Sequence, residues 1–213
     1  MQRKIDWLNH FLEFIVVVIG ILLAFQLNKC SSDKKEANNL KTHLEQIKEE
    51  TEFNLNSLNA SIDLAELNKR KLDTLFQLIF SKKDFKKVNR LSIDLLNVGG
   101  FYVQKNAYST IVQSGDIRFI KDLSQKQDLV GLYEYYKWVD SFENLLLNDF
   151  NKDYYPYIKQ NFDIVGGTVQ SDEVYSGKQF KNILAAYSHL LTLKLAKYKD
   201  CKKVVEEYLD NSQ

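Results

Sequence analysis

The feature that most constrains this chain is an uninterrupted apolar run, FIVVVIGILLAF, from Phe14 to Phe25. Extended to Trp7 and Leu27, the segment holds about 21 residues, which form a helix of about 31 Å at about 1.5 Å per residue. That length spans the hydrocarbon core of a bilayer. Trp7 suits the headgroup level at one end, and polar residues close the other end. The run therefore predicts a transmembrane helix over residues 11–28, after a short tail over residues 1–10.

An uncleaved anchor is favoured over a signal peptide or a lipoprotein. Acidic Asp6 and Glu13 interrupt the N-terminal region, and no small-x-small cleavage motif follows the run. The residues before Cys30 are Leu, Asn and Lys, whereas a lipidation motif has small residues there. Lysine is slightly more frequent after the run than before it, but a short N-terminal tail is the usual cytoplasmic end of a bacterial single-pass anchor. We expect a bacterial inner-membrane location, with the following domain in the periplasm.

Three residues of this segment are candidates for packing or coupling inside the membrane: Glu13, Gly20 and Gln26. Ionisable side chains within membrane spans are costly and usually face protein or water. Glu13 and Gly20 are seven residues apart and share nearly one helix face, where a small residue lets a neighbouring helix approach. One interpretation is a protonatable group at a helix–helix seam, as in single-span stator subunits of ion-driven motors. The simpler alternative is that Glu13 reaches the membrane interface.

Beyond a juxtamembrane linker over residues 29–36, residues 37–213 have the pattern of an all-α domain. Apolar residues recur at steps of three and four from Leu40 to Ile79, which predicts one long amphipathic helix that asparagines weaken locally. The pattern also predicts four further helices, over residues 91–96, 107–113, 124–150 and 178–209, with Ser124 as the cap of the third. We interpret residues 81–90 as a solvated basic connector, and contact with anionic lipid or another protein is the alternative. Residues 162–177 are predicted as a loop or at most a small hairpin. With Pro156 as the single proline, little interrupts these helices. We predict an irregular antiparallel helical bundle after a single N-terminal transmembrane helix.

Charge and motifs argue against most kinds of active site. The formal net charge is +1 with acids and bases interspersed, so there is no electrostatic footprint for nucleic acid. The histidines, His10, His43 and His189, are isolated and have no metal-ligand spacing. No nucleotide-binding or nucleophile motif is present either. We therefore expect no enzymatic activity, no cofactor, no metal site, no nucleic acid and no small-molecule substrate.

The two cysteines, Cys30 and Cys201, lie far apart in sequence and fit no zinc or CxxC spacing. We interpret them as two unrelated thiols. The alternative is a disulfide between them, or between Cys30 and its copy in a dimer, which requires an oxidising compartment.

Tyrosine is abundant, with 12 in 213 residues, and concentrates in two clusters at 133–136 and 154–157. The helical period assigns Tyr133 and Tyr136 to the apolar stripe of their helix. The remaining aromatic residues of the two clusters are partner-surface candidates: Tyr135, Trp138, Tyr154, Tyr155 and Tyr157. Aromatic rings with a polar tip favour protein interfaces, and packing at the end of a bundle is the alternative.

Two segments carry a resemblance to a known family. The first is EFIVVVIGILLAFQLN, from Glu13 to Asn28, and the second is AYSTIVQSGDIRFI, from Ala107 to Ile120. They resemble the recurring blocks of an uncharacterised (domain-of-unknown-function) family of small single-pass membrane proteins from Bacteroidota. The resemblance implies an envelope location and no particular activity.

Two classes of function agree with these features. The first is an interaction or scaffold module of the bacterial cell envelope, held in membrane lipid by its anchor and bound to a protein partner or to a copy of itself. The second is an accessory subunit of a membrane transport or ion-coupled complex that uses Glu13. A sensory domain is a weaker alternative, because the N-terminal tail is too short to hold an output domain.

Overall fold

The computed structural model describes residues 7–211, and every regular element among them is helical. The all-α prediction is therefore confirmed. The elements, with one 3₁₀ turn and one π-helical turn, are α1 (Trp7–Ser81), α2 (Phe85–Asp94), α3 (Asn106–Ser114), the 3₁₀ turn (Asp116–Phe119), α4 (Leu123–Asp149), the π-helical turn (Phe150–Tyr154), α5 (Tyr155–Asn161), α6 (Asp172–Ser176) and α7 (Lys178–Asn211).

Helix α1 is continuous over 75 residues, so the segment 29–36 predicted as a linker lies within it. No glycine or proline follows Gly20 before Ser81, and nothing in the backbone ends the helix earlier. The asparagines do not break it. Asn54 lies inside, where its Nδ2 donates to the Gln104 carbonyl at 2.8 Å and its Oδ1 accepts from the Gln104 N–H at 2.8 Å. These bonds attach the extended chain after α2 to α1.

The chain divides into two compact units, of which unit 1 is Met1–Ile47 with Ala107–Lys121. Its described part holds the N-terminal portion of α1, most of α3 and the 3₁₀ turn. Ile111 and Ile120 are buried, and the His43 Nε2 lies 3.2 Å from Asp116 Oδ2. Gly115 has a φ of 77°, which is the left-handed conformation that commonly ends a helix. The helix predicted over 107–113 is therefore confirmed.

Unit 2 is Lys48–Asn106 with Asp122–Gln213. Its apolar core draws on the rest of α1, on α2, on α4 to α7 and on the π-helical turn. Burial of such side chains is the dominant favourable term in folding. The largest part of this core consists of Leu72, Leu75, Ile79, Val88, Leu95, Leu146, Phe150, Tyr154, Ile158, Tyr175, Phe180, Leu184, Tyr187 and Leu191.

The basic connector predicted over 81–90 is in part a helix, because α2 begins at Phe85. Asp84 caps it, and its Oδ1 accepts a hydrogen bond from the Lys87 N–H at 3.0 Å. Val88 is fully buried while Lys86 and Lys87 stay exposed. The density of lysine concealed this amphipathic pattern, since apolar residues are few before Leu91.

Helix α4 is capped by Asp122, two residues before the predicted cap Ser124, and Asp122 accepts from the Ser124 and Gln125 N–H groups. Pro156 does not end the helical stretch. It lies in the first turn of α5, directly after the π-helical turn, and the helical stretch continues through it. The stretch predicted as a loop at 162–177 contains the short helix α6, and the last helix is confirmed as α7.

Candidate functional site

The apolar part of α1 exposes its side chains. Its most apolar 18-residue window has a mean hydropathy of 2.3, and none of that window is buried. By length and composition, α1 is the one helix among residues 7–211 that is able to cross a membrane. The exposed apolar side chains are Phe11, Leu12, Phe14, Val16, Val17, Ile19, Ile21, Leu22, Leu23, Phe25 and Leu27. A continuous exposed apolar surface of this kind marks a membrane or protein interaction site.

The three predicted residues of this segment lie on the outer surface of α1. The Glu13 side chain is 76% exposed, with Oε2 3.4 Å from His10 Nδ1. A Cβ added at Gly20 meets no atom within 4 Å. At about 100° per residue, Glu13 and Gly20 lie about 20° apart around the helix, whereas Gln26 lies about 140° from Glu13. The structure therefore brings Glu13 and Gly20 to one face and Gln26 to another.

The first aromatic cluster leaves a group at the surface of α4 and α7, in which Trp138 is exposed and Tyr135 and Lys197 are half-buried. We call these three residues the Trp138 surface. The Trp138 ring is 43% exposed and packs edge-on against Tyr135, with ring centroids 5.3 Å apart. Lys197 Nζ lies 4.3 Å from the centroid of the Trp138 ring, in cation–π geometry. Burial, and then the negative charge of Asp200, raises the pKa of Tyr135.

The second aromatic cluster is mostly interior, which corrects its assignment to a partner surface. Tyr154 is 1% exposed, and its hydroxyl donates to the Ser92 carbonyl at 2.7 Å. Tyr157 is half-buried; its hydroxyl donates to the Val174 carbonyl at 2.8 Å, and its ring stacks on Phe180. Tyr155 remains exposed. Tyr154 and Tyr157 therefore fit the alternative interpretation, packing within the bundle, because both rings lie against the core of unit 2.

A buried polar group that the sequence interpretation missed joins α4 to α7, and we call it the Glu143 cluster: Glu143, Lys194 and Tyr198. Glu143 Oε1 accepts from the Tyr198 hydroxyl and, at 2.9 Å, from the Phe101 N–H. Lys194 Nζ lies 3.5 Å from the same oxygen and donates to the Gly99 carbonyl at 3.0 Å. Lys194 is 2% exposed, so this is an ion pair inside the protein.

Burial changes the pKa values of Glu143 and Lys194. It raises the pKa of Glu143, opposed by the Phe101 N–H and by the Lys194 charge. It lowers the pKa of Lys194, opposed by Glu143. An adjoining cavity of about 120 Å³ is smaller than the pockets that hold drug-sized ligands. The cluster is therefore suited to fixing the Gly99–Phe101 segment rather than to binding a substrate.

The sequence does carry a signal for the Glu143 cluster. Lys194 stands between Leu191 and Tyr198 at steps of three and four, on the apolar stripe of α7, and Glu143 stands likewise between Val139 and Leu146. A charged residue on an apolar stripe requires a partner, because an unpaired charge is rarely buried. Two such residues on neighbouring helices indicate an internal ion pair.

The cysteines differ in environment, and both thiols are free. Cys30 is exposed on α1, and Cys201 is buried on α7. Burial, and to a smaller degree the Glu143 charge, raises the pKa of Cys201 to about 12. Among residues 7–211, no three metal-ligating side chains come together.

Most of the chain matches a known protein family. Residues 13–192 match the model of a family described as "Family of unknown function (DUF6090)". No curated protein and no solved structure matches the chain.

Proposed function

The chain belongs to the DUF6090 family of unknown function, and we propose that this member is a membrane-anchored interaction or scaffold module of the bacterial cell envelope. One observation carries the proposal: no side chain in the most apolar window of α1 is buried, while unit 2 has an apolar core of its own. The exposed segment then sits in lipid, and the folded remainder is available to partners. In this proposal the membrane is the bacterial inner membrane, the helical domain is periplasmic, and the protein has no catalytic activity.

We further propose that unit 2 is an irregular antiparallel bundle. Contacts of α4 and the π-helical turn with α7 support this arrangement, because residue numbers that increase along α4 and the turn pair with residue numbers that decrease along α7. Trp138 contacts Lys197, Glu143 contacts Lys194, and Phe150 contacts Tyr187. Neighbouring helices that run in opposite directions are usual in bundles with short connections.

The protein partner is a second copy or a multi-span membrane protein, and two surfaces suit it. In the membrane, Gly20 and Ala24 form a small-xxx-small pair on the face of Glu13, which permits close helix approach. Outside the membrane, the Trp138 surface offers Trp138 and Tyr135, two residue types that are enriched in protein interfaces.

Native mass spectrometry tests the proposal on complexes purified in mild detergent from cells that express a C-terminally tagged chain at natural level. We expect a defined homo-oligomer or a stoichiometric protein partner. Trp138→Ala should weaken a complex formed outside the membrane, and Gly20→Leu one formed inside it. The matched controls are Tyr102→Ala, an exposed aromatic elsewhere, and Val18→Leu, on the opposite face of the membrane segment. A monomer without a partner in every preparation contradicts the proposal.

An accessory role in membrane transport or ion coupling is a second candidate, favoured by the exposed carboxylate of Glu13 among exposed apolar side chains. In this role Glu13 faces the helices of a multi-span partner and exchanges a proton or cation there. Glu13→Gln then abolishes function while the complex still assembles. In the scaffold role, the same substitution leaves both phenotype and complex unchanged.

A further inference from the structure

A cleft of about 670 Å³ lies between α2 and the turn that follows Phe162, and we call it the α2 cleft. Its lining residues are Asp84, Lys86, Lys87, Asn89, Arg90, Leu91, Ile93, Asp94, Gly166 and Gly167. The lining therefore combines three cations, two carboxylates and the apolar Leu91 and Ile93. All of these residues belong to unit 2.

The cations of the α2 cleft are available to a ligand. Lys86, Lys87 and Arg90 are exposed, and none of them forms a salt bridge within the described part of the chain. Lys82 and Lys83 precede them, so residues 82–94 hold five basic residues and two acids, Asp84 and Asp94. Asp84 is engaged as the cap of α2. The charge balance of this rim therefore favours an anionic occupant.

The turn beside the α2 cleft holds apolar side chains in the solvent. Val165 is 100% exposed and Ile164 40% exposed. Asp163 fixes the turn, because its carboxylate accepts from the Gly166 N–H at 2.8 Å, from the Thr168 N–H at 3.2 Å and from the Thr168 hydroxyl. These bonds lower the pKa of Asp163, so they persist at neutral pH. Val165 is thus held at the tip of an ordered turn and is not drawn into the core.

We propose that the α2 cleft and the Ile164–Val165 tip form a second membrane-contact site, which binds the phosphate groups of anionic lipids. An anionic bilayer surface presents phosphate above acyl chains, and this site presents cations beside an apolar tip. Free phosphate matches the cations but leaves Val165 without a role. Basic residues near an anionic membrane each strengthen binding about fivefold, and a buried valine side chain adds about tenfold.

The test uses the full chain in nanodiscs of neutral phosphatidylcholine, so that the anchor is already in lipid. Flotation with separate vesicles then reports the second contact. We expect binding to vesicles with phosphatidylglycerol, little binding to pure phosphatidylcholine vesicles, and loss of binding in high salt. Lys86→Gln, Lys87→Gln and Arg90→Gln combined should weaken flotation about 100-fold, and V165S should weaken it about tenfold.

Matched controls separate the site from net charge. Lys126→Gln, Lys152→Gln and Lys203→Gln combined remove the same charge elsewhere in unit 2 and should change flotation less than twofold. Circular dichroism checks that each variant remains folded. The proposal is overturned if neutral vesicles bind equally, if the two triple variants behave alike, or if V165S binds like the unaltered chain.

Two further probes distinguish other anionic ligands. If inorganic phosphate competes better than chloride at equal ionic strength, and V165S changes nothing, the cleft binds a free phosphate group and the membrane assignment is wrong. If poly-glutamate binds with the same dependence on the three cations while anionic vesicles do not, the occupant is an acidic protein segment, which also overturns the proposal.

Discussion

Two neighbouring tyrosines in the core of unit 2 differ in their hydrogen bonds. The Tyr154 hydroxyl donates to Ser92, whereas the Tyr187 hydroxyl has no hydrogen-bond partner among residues 7–211. We predict that Tyr187→Phe raises the free energy of unfolding by about 1 kcal/mol, because it removes an unsatisfied polar group. Tyr154→Phe should lower it by about 1 kcal/mol. Urea unfolding in detergent, followed by near-ultraviolet circular dichroism, measures both; changes of the same sign contradict the assignment.

Removal of Lys194 should be among the most damaging single changes in unit 2. Lys194→Met leaves Glu143 without its buried cation, and breaking such a pair costs about 3–5 kcal/mol of unfolding free energy. Glu143→Gln in the same background should restore part of the loss, because the amide carries no charge. Urea unfolding of the single and double variants measures this coupling, and additive effects would show that the two residues act independently.

The stability of the Lys194→Met variant should depend on pH. Burial already raises the pKa of Glu143 above 4.5, and loss of Lys194, which opposes that shift, raises it further. A carboxyl with a raised folded-state pKa holds its proton more tightly when folded, so stability increases as pH falls through that pKa. The deficit of Lys194→Met relative to the unaltered chain should therefore shrink as the pH falls from neutral toward the raised pKa of Glu143. A deficit that grows on acidification contradicts the assignment.

For single residues, the sequence pattern predicted the burial of some side chains and not of others. The period of α4 correctly separated Tyr136, which is buried, from Trp138, which is exposed. The period was not extended to Tyr154, because the helix was predicted to end near Phe150, whereas the helical stretch continues through the π-helical turn into α5. It missed the Glu143 cluster because charged residues were treated as surface.

Among the helices, α1 holds the extended segment after α2 through side chains. Asn54→Ala should lower the free energy of unfolding by about 2–3 kcal/mol, because it leaves both backbone groups of Gln104 without their partner. Asn56→Ala is the matched control, since Asn56 is exposed on the same helix. Alanine favours the helix, so the control should be neutral or slightly stabilising. Equal losses in the two variants, measured by urea unfolding, would contradict the inward role of Asn54.

The long helices were predictable and the short ones were not. In α1 and α7 the apolar stripe repeats over many turns, so a single polar interruption does not conceal it. In α2 the stripe has few members, and lysine-rich sequence suggests solvent. The caps of α4 illustrate a further limit, because Asp122 and Ser124 are both good capping residues and the backbone decides between them. The asparagines of α1 weaken an isolated helix, yet tertiary hydrogen bonds make Asn54 part of the fold.

For the whole molecule, alkaline pH should cause cooperative unfolding. Burial raises the pKa of Tyr133, Tyr136, Tyr154 and Tyr187 above the ordinary value of 10.0. In the folded state these groups keep their protons when the unfolded chain has lost them, so stability is intact below pH 10 and decreases as pH rises further. Ionisation of these four tyrosines, followed by tyrosinate absorbance, and loss of far-ultraviolet circular dichroism should therefore share one transition above pH 10. Ionisation of all tyrosines with the helices intact contradicts this expectation.

The two thiols differ in burial, so their reactivity reports the membrane orientation and the association of the chain. Cys30 is exposed and lies two residues beyond the predicted membrane span. Cys201 is buried in unit 2, and its raised pKa keeps the thiol protonated and unreactive. If the helical domain is periplasmic, a membrane-impermeant maleimide should modify Cys30 in intact spheroplasts. Cys201 should react only after the protein is denatured. Labelling that requires lysis assigns the opposite orientation. Mild oxidation of the same membranes should join two chains through Cys30 wherever their anchors lie side by side, so topology and self-association are both measurable on the unaltered sequence.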